Sequence, residues 1–101
     1  MRIEVTSKGM ELTETIEEHA RTKSEKLLKY FDGVQEIEVI LHNAERDTFQ
    51  VEVMVDVVKH EPLIGRSEGS NVYSCIDQAV DKAQRQLTDY KERLRDTRRP
   101  S

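Results

Sequence analysis

Residues 49–58, FQVEVMVDVV, carry the longest alternation of apolar and polar side chains in this sequence. Phe49 and the valines at positions 51, 53, 55 and 57 form the apolar half. Successive side chains of a β-strand point to opposite faces of a sheet, so a period of two predicts a strand with one buried and one exposed face. Such a strand needs neighbouring strands and a second layer that covers its buried face.

Three more strands are predicted around this one. Residues 36–42, EIEVILH, and residues 2–6, RIEVT, alternate in the same way, and residues 63–69, LIGRSEG, do so more weakly. The polar residues 43–47 and residues 60–62, HEP, predict turns between the strands. The inward positions of these three strands are Ile3, Val5, Ile37, Val39, Leu41, Leu63, Gly65 and Ser67.

Two segments change to the spacing of an α-helix. Thr13 followed by acidic residues is typical of a helix start, and a first helix is predicted over residues 13–30, ending before Gly33. A second helix is predicted to begin after Asn71 and to reach about residue 96. The inward residues are Leu12, Ile16, Ala20, Leu27 and Phe31 in the first helix and Val72, Ile76, Ala79, Val80, Ala83, Leu87, Tyr90 and Leu94 in the second.

The order of the predicted elements is β-α-β-β-β-α. Two helices and four strands predict an α+β fold, a two-layer sandwich in which a four-stranded sheet carries both helices on one face. A chain of 101 residues fits one domain. We place this domain at residues 1–96 and expect residues 97–101 to be a flexible C-terminal tail.

Charge is unevenly distributed along the chain. The 16 Lys and Arg stand against 20 Asp and Glu, a formal net charge of −4, yet residues 82–101 hold seven bases and three acids. Such asymmetry favours a polyanionic partner in spite of the acidic total. The outward positions of the predicted sheet are Glu4, Glu36, Glu38, Glu52, Asp56 and Glu68, with Arg2 and Arg66 as basic exceptions. We therefore predict an acidic open sheet face and a basic helix face.

Signatures of catalysis and of metal binding are missing from the sequence. His19, His42 and His60 have no partner at the spacing of metal ligands, and no nucleophile or phosphate-loop motif is present. Cys75, the single cysteine, falls in the apolar helical pattern and is predicted to be a core residue. No apolar run approaches the roughly 18 residues of a membrane span. The sequence therefore predicts a cytoplasmic protein that is not an enzyme and has no metal, cofactor, small-molecule substrate or membrane partner.

Basic residues follow the flanks of both predicted helices. They are Lys23, Lys26 and Lys29 in the first helix and Lys82, Arg85, Lys91, Arg93 and Arg95 in the second. One interpretation is a solvated face whose long side chains cover the edge of the core. The other is a surface that binds the phosphate groups of a nucleic acid. Periodicity by itself leaves both interpretations open.

Two long segments resemble a known family. Residues 6–32, TSKGMELTETIEEHARTKSEKLLKYFD, close on the pattern K..KL.KYFD, and residues 67–94, SEGSNVYSCIDQAVDKAQRQLTDYKERL, contain EG...Y..ID...DK..RQL...K..L. These patterns are similar to those of the ribosome hibernation-promoting factor and ribosome-associated inhibitor A family, formerly called sigma-54 modulation proteins. The resemblance covers nearly the whole chain, and the fold it implies is also β-α-β-β-β-α.

The resemblance implies a protein that binds the small ribosomal subunit in the channel used by mRNA and by A-site and P-site tRNA. Family members keep ribosomes inactive in stationary phase or stress. The implied mechanism is steric occlusion, with Lys and Arg side chains on rRNA phosphates. The chain is most similar to the short members, which in some bacteria act with a second small hibernation factor, so such a factor is an expected partner.

The resemblance also assigns roles to individual residues. Basic positions of the family correspond to Lys23, Lys26, Lys82, Arg85, Lys91, Arg93 and Arg95, whereas Lys29 falls at a more variable position. Asp89 is a departure, because relatives often carry a base there. Arg85 and Asp89 are four residues apart, so they are predicted to share a helix face, where they can pair. Tyr73 and Asp77 are predicted to be structural.

Two other functions compete with this one. A regulator that binds a partner protein through the acidic sheet face would keep its binding when the helix bases are removed. A free RNA binder similar to the double-stranded-RNA-binding domain would have a Lys-rich start to its last helix. Here that start, residues 71–81, NVYSCIDQAVD, is acidic and apolar, which disfavours this function.

Overall fold

The computed structural model describes residues 2–29 and 32–98, without the side chains of Ala44 and of residues 95–98. The elements are β1 (Arg2–Lys8), α1 (Glu14–Glu25), a 3₁₀ turn (Lys26–Lys29), β2 (Val34–Glu45), β3 (Thr48–Val57), β4 (Leu63–Gly69) and α2 (Val72–Arg98). This order confirms the predicted α+β class and the β-α-β-β-β-α sequence of elements.

The four strands form one mixed sheet in the order β1-β2-β3-β4. β1 pairs with β2 in parallel, with Ile3 opposite Ile37, and the other two pairings are antiparallel. A parallel pair needs a crossover connection, and α1 provides it. β1 and β4 are therefore the two edge strands.

Several predicted boundaries differ from those observed. β2 continues to Glu45, so the turn predicted over residues 43–47 was wrong in its extent and contains only Arg46 and Asp47. Polar side chains do not end a strand that has one exposed face, because the backbone ladder continues regardless of them. β1 likewise extends two residues past Thr6, to Lys8.

The helices also differ in extent from the prediction. α1 ends at Glu25 and is continued by the 3₁₀ turn, whereas a single helix was predicted over residues 13–30. α2 reaches Arg98, so its backbone includes residues 97 and 98, which the sequence placed in the tail. Phe31 and residues 99–101 lie outside the described residues.

The start of each helix is stabilised by the residue predicted to cap it. Thr13 Oγ1 accepts a hydrogen bond from the Ile16 N–H at 3.3 Å. Asn71 Oδ1 accepts bonds from the N–H groups of Tyr73 at 3.0 Å and Ser74 at 3.2 Å. Both side chains satisfy N–H groups that have no partner inside the helix.

Both helices cover the same sheet face and enclose the core. Every inward residue predicted for β2 and β4 is buried, as is Cys75, while Leu94 at the far end of α2 is partly buried. Burial raises the pKa of the Cys75 thiol, which suits the predicted role as a small core residue. The opposite sheet face carries the polar positions and stays open to solvent.

Gly65 sets how closely α2 lies against β4. A Cβ atom on Gly65 would overlap the carbonyl oxygen of Ala79 and would lie 2.6 Å from the backbone nitrogen of Ala83. The atoms that this Cβ would meet belong to the helix backbone, and both alanines are fully buried. No flexible side chain is therefore present that could move aside. The helix and strand backbones therefore touch directly at this point.

Replacing Gly65 with Ala should force α2 away from β4 and lower the free energy of unfolding by about 1–3 kcal/mol. Gly69→Ala is the matched control, because its added Cβ would lie 3.3 Å from the Cys75 sulfur, a milder approach. Urea unfolding of both variants checks this expectation. Equal stability of the two variants would show that the contact at Gly65 can relax at little cost.

Candidate nucleic-acid interface

A polar network joins the two helices near their starts. His19 Nε2 donates to Asp77 Oδ1 at 2.8 Å, and the Tyr73 ring packs edge-on against the His19 ring with 5.1 Å between centroids. The Tyr73 hydroxyl lies 3.2 Å from the Thr15 hydroxyl. Tyr73 and Asp77 therefore hold α2 to α1, in agreement with the structural role predicted for them.

Two of the predicted phosphate-binding lysines belong to the same seam. Lys23 Nζ lies 3.9 Å from Asp77, and Lys26 Nζ lies 3.3 Å from Asp81. Both lysines are partly exposed, so each still presents some positive charge to solvent. Their charge is offset by the carboxylates of α2, which the sequence pattern did not reveal because the partners are more than 50 residues apart.

Lys82 forms a hydrogen bond to the sheet. Its ammonium donates to the backbone oxygen of Arg66 at 2.8 Å, on the outer edge of β4. An ammonium group has three donors, so this bond leaves two for another partner.

Three of the predicted bases are exposed without an ion pair to a described side chain: they are Lys29 in the 3₁₀ turn and Arg85 and Lys91 in α2. Arg85 and Asp89, whose spacing allows a pair, form no ion pair. An exposed ion pair contributes at most about 1 kcal/mol to stability. On a helix, a base that precedes its acid by four residues forms a weaker pair than an acid that precedes its base. Arg93 is exposed, and Arg95 lies in α2 with its side chain outside the described part.

The end of α2 extends past the last buried residue of the helix, with only Leu94 among the described side chains still partly buried against the core. Tyr90 is the last buried residue of this helix among the described side chains, and its hydroxyl donates to Val58 O at 3.2 Å. Eight more helical residues follow, up to Arg98. The molecule is accordingly elongated, with extents of 54 × 23 × 18 Å. We call residues 91–98 the projecting end; it carries four bases and two acids.

The helix layer is not basic throughout. Residues 14–29 hold four acids and four bases, and residues 72–98 hold five acids and six bases. Glu14, Glu17, Glu18 and Glu25 line the outer side of α1 together with Arg21, which pairs with Glu17 at 3.1 Å. Among the described side chains of the helix layer, the exposed bases without an ion pair or a hydrogen bond are therefore Lys29 at the 3₁₀ turn and Arg85 and Lys91 on the second half of α2.

The open sheet face is acidic at one end only, whereas the whole face was predicted to be acidic. Arg2 forms ion pairs with Glu36 at 2.9 Å and with Glu4 at 3.3 Å. Glu38 and Asp56 have no ion pair among the described side chains. The bond and the charge of Glu36 raise the pKa of Arg2.

The other end of this face is mixed in charge. Because β1 extends to Lys8, this lysine lies beside His42 in the neighbouring strand. Both side chains line a groove of about 560 Å³ together with Glu68 and Lys82. Arg66 pairs with Glu52 at 2.8 Å across the adjacent row. The sequence missed Lys8 because the strand was predicted to stop at Thr6.

Within residues 2–29 and 32–98, no group of three or more His, Cys, Asp or Glu side chains is placed to hold a metal ion. In the same part of the chain, no helix is long and apolar enough to cross a membrane. The features that stand out are exposed charges on an elongated α+β body.

Two solved structures of other proteins share this α+β fold. A ribosomal subunit interface protein from Coxiella burnetii superposes with a TM-score of 0.82 at 22% identity, over 91% of this chain and 99% of that one, which shows a shared fold. The N-terminal domain of Thermus thermophilus Protein Y gives 0.79 at 26% identity, over 89% and 99% of the two chains.

Sequence comparison gives the family. The family model described as "Sigma 54 modulation protein / S30EA ribosomal protein" matches residues 3–95, and the chain belongs to this family. The ribosome hibernation promoting factor of Escherichia coli (strain K12) is 33% identical over 95 residues, which cover 94% of this chain and 98% of that protein. The resemblance drawn from residues 6–32 and 67–94 is confirmed.

The contact between His19 and Asp77 should be measurable as a coupling between the helices. Asp77→Ala and His19→Ala should each destabilise the domain, and the double-mutant cycle should give a coupling energy of about 0.5–2 kcal/mol, because each single change removes the same bond. Asp89→Ala, which removes an exposed carboxylate of the same helix, is the control and should show no coupling to His19→Ala. A coupling near zero at Asp77 would contradict the bond.

Proposed function

We propose that this protein is a ribosome hibernation factor. It binds the small ribosomal subunit in the channel for mRNA and for A-site and P-site tRNA, and it keeps ribosomes inactive in stationary phase or stress. It acts in the cytoplasm without catalysis, and residues 1–96 form its ribosome-binding domain. The observation that carries this proposal is that Arg85 and Lys91, on the second half of α2, are exposed and have no ion pair to a described side chain, in a chain of this family.

The proposed mechanism is occlusion by a rigid body. The domain is folded before it binds, so little conformational entropy is lost on association. Bases on its surface displace counterions from rRNA phosphates, which supplies affinity without reading sequence. Its acidic sheet end would face away from the rRNA, because like charges at a phosphate surface are repelled.

The candidate phosphate-binding residues can be ranked by whether each already has a partner within the domain. Lys29, Arg85 and Lys91 are proposed as the main phosphate contacts, because they are exposed and have no described carboxylate partner. Arg93 and Arg95 are proposed to extend this surface along the projecting end. Lys23, Lys26 and Lys82 are proposed as secondary contacts, since each already has an intramolecular partner.

A second candidate function is regulation of a partner protein through the acidic end of the open sheet face. The observation that favours it is a shallow groove of about 220 Å³ there, lined by Glu38, Met54 and Asp56, in which an apolar side chain is flanked by carboxylates. Such a surface suits a basic segment of a protein. It predicts binding that survives loss of the helix bases and is abolished by Glu38→Gln with Asp56→Asn.

Removing the exposed bases should weaken ribosome binding and leave the fold intact. Arg85→Ala and Lys91→Ala should each lower the affinity for isolated small subunits and reduce the slope of log K against log salt by roughly one unit. Arg46→Ala is the matched control, because Arg46 is an exposed base in the turn between β2 and β3, at the end of the sheet away from the projecting end. Affinity titrations at several salt concentrations, with thermal unfolding of each variant, check this.

The outcomes of that experiment separate the two functions. Affinity that is unchanged in both variants and insensitive to salt would support the protein-partner function instead. Sedimentation of a stationary-phase lysate provides an independent reading, because the protein should travel with small subunits or intact ribosomes. A second small hibernation factor, if it acts together with this protein, should be found in the same fractions.

Reversing the charge at Asp89 should have the opposite effect. Asp89 is exposed on α2, one turn beyond Arg85, and places a negative charge inside the proposed phosphate surface. Asp89→Lys should therefore tighten binding to the small subunit and steepen its salt dependence, while Asp89→Asn should give an intermediate affinity. Weaker binding of the lysine variant would show that this part of α2 lies outside the footprint.

A further inference from the structure

Both edges of the sheet are partly covered by side chains from the helices. On the β4 edge, the Gln86 amide donates from Nε2 to the backbone oxygen of Ile64, and its Oε1 accepts from the Ile64 N–H at 3.4 Å. Lys82 covers the next outward carbonyl, that of Arg66. On the β1 edge, Arg21 donates to the Ile3 oxygen at 2.7 Å.

Gln86 and Lys82 replace part of a missing strand. In an antiparallel edge strand, the backbone groups of alternate residues point away from the sheet and have no partner. A primary amide offers one donor and one acceptor side by side, as a peptide group does, and Gln86 uses both on one residue.

The spacing of the two elements makes this cover possible. Four residues of α-helix rise about 6 Å, and two residues of antiparallel strand span about 6.8 Å. Lys82 and Gln86 are four residues apart on α2, while their targets Arg66 and Ile64 are two apart on β4. The direct backbone contact at Gly65, between those two targets, brings the helix close enough for both side chains to reach the edge.

We infer that Gln86 and Lys82 keep the β4 edge closed and the chain monomeric, and that an uncovered β4 pairs with β4 of a second copy. The argument for a second copy is charge complementarity. Arg66 and Glu68 are outward-facing residues of opposite charge, two positions apart on the edge strand. Antiparallel pairing about a two-fold axis at Ser67 places each Arg66 opposite the other copy's Glu68, which gives two reciprocal ion pairs.

The Glu68 end of the edge is where such pairing would start. Among the described residues, no helix side chain bonds to the Glu68 backbone, whereas the backbone oxygens of Ile64 and Arg66 are both covered. Glu68 presents its carboxylate to Gln50 at 3.1 Å, and Arg66 presents its guanidinium to Glu52. Both side chains are exposed and lie on the open face, so they can reach a second copy.

The test removes the cover and measures both its local and its global effect. In Gln86→Ala, the Ile64 amide should exchange with deuterium about two- to tenfold faster, the change expected from loss of one hydrogen bond. In Lys82→Met with Gln86→Ala, sedimentation equilibrium should show a dimer that forms as concentration rises, whereas the wild type should stay monomeric. Arg85→Ala, which alters a neighbouring side chain that does not touch the edge, should change neither measurement.

A charge reversal tests the proposed register. Adding Arg66→Glu to the double variant replaces each attractive pair by repulsion between two carboxylates and should abolish the dimer. Lys82→Met alone keeps the proposal testable if Gln86 variants fail to fold, since it should shift the chain partly toward dimer.

Folded variants that stay monomeric with unchanged Ile64 exchange would overturn the inference. Unlimited association, or a dimer that persists with Arg66→Glu, would overturn the two-fold pairing of β4. None of these readings involves the ribosome, so they are independent of the proposed function.

Discussion

The direct contact between the backbones of α2 and β4 at Gly65 governs the arrangement of the rest of the molecule. Small residues on both sides, Gly65 on the strand and Ala79 and Ala83 on the helix, let the two elements approach without intervening side chains. Because the helix is fixed at that distance, its inward residues meet the valines of β3, and its flanking residues reach the edge of the sheet. The same contact fixes the position of α2, whose last described residue in contact with the core is the partly buried Leu94.

The position of α2 also divides the charged side chains into two groups. Those facing α1 or the β4 edge have partners within the domain. Asp77 and Asp81 form ion pairs with Lys23 and Lys26. Lys82 donates a hydrogen bond to a backbone carbonyl. Those on the outer side and on the projecting end have no such partner among the described side chains, apart from Arg93, which makes a contact within the domain. Exposed pairs add little stability, so the unpaired bases can be changed with little effect on folding. This division explains how an acidic protein can present a local positive surface.

The acidic total has a related structural explanation. Much of it lies on the open sheet face and on the outer side of α1, and part of it is neutralised locally by Arg2, Arg66 and Arg21. The acidic end of the sheet face and the outer side of α1 are therefore separate from the exposed bases of α2, while acids and bases are mixed within the rest of the helix layer. For a polyanionic partner, this separation favours one orientation of approach, because the acidic surfaces are repelled while the end of α2 is attracted.

The sequence alone determined the type and order of the α-helices and strands, most of the inward residues and the family, because these depend on local periodicity and on motifs read along the chain. The apolar alternation of residues 49–58 and the spacing from Val72 to Tyr90 leave few other ways to bury those side chains. Only the tertiary structure decided which charges are paired. Contacts between distant parts of the chain formed, among them Lys23 with Asp77 and Lys82 with the Arg66 carbonyl. The local pair that the spacing of Arg85 and Asp89 allows did not form. The physical reason is that an exposed local pair gains little over solvation, whereas packing of the helices on the sheet brings distant side chains within bonding distance.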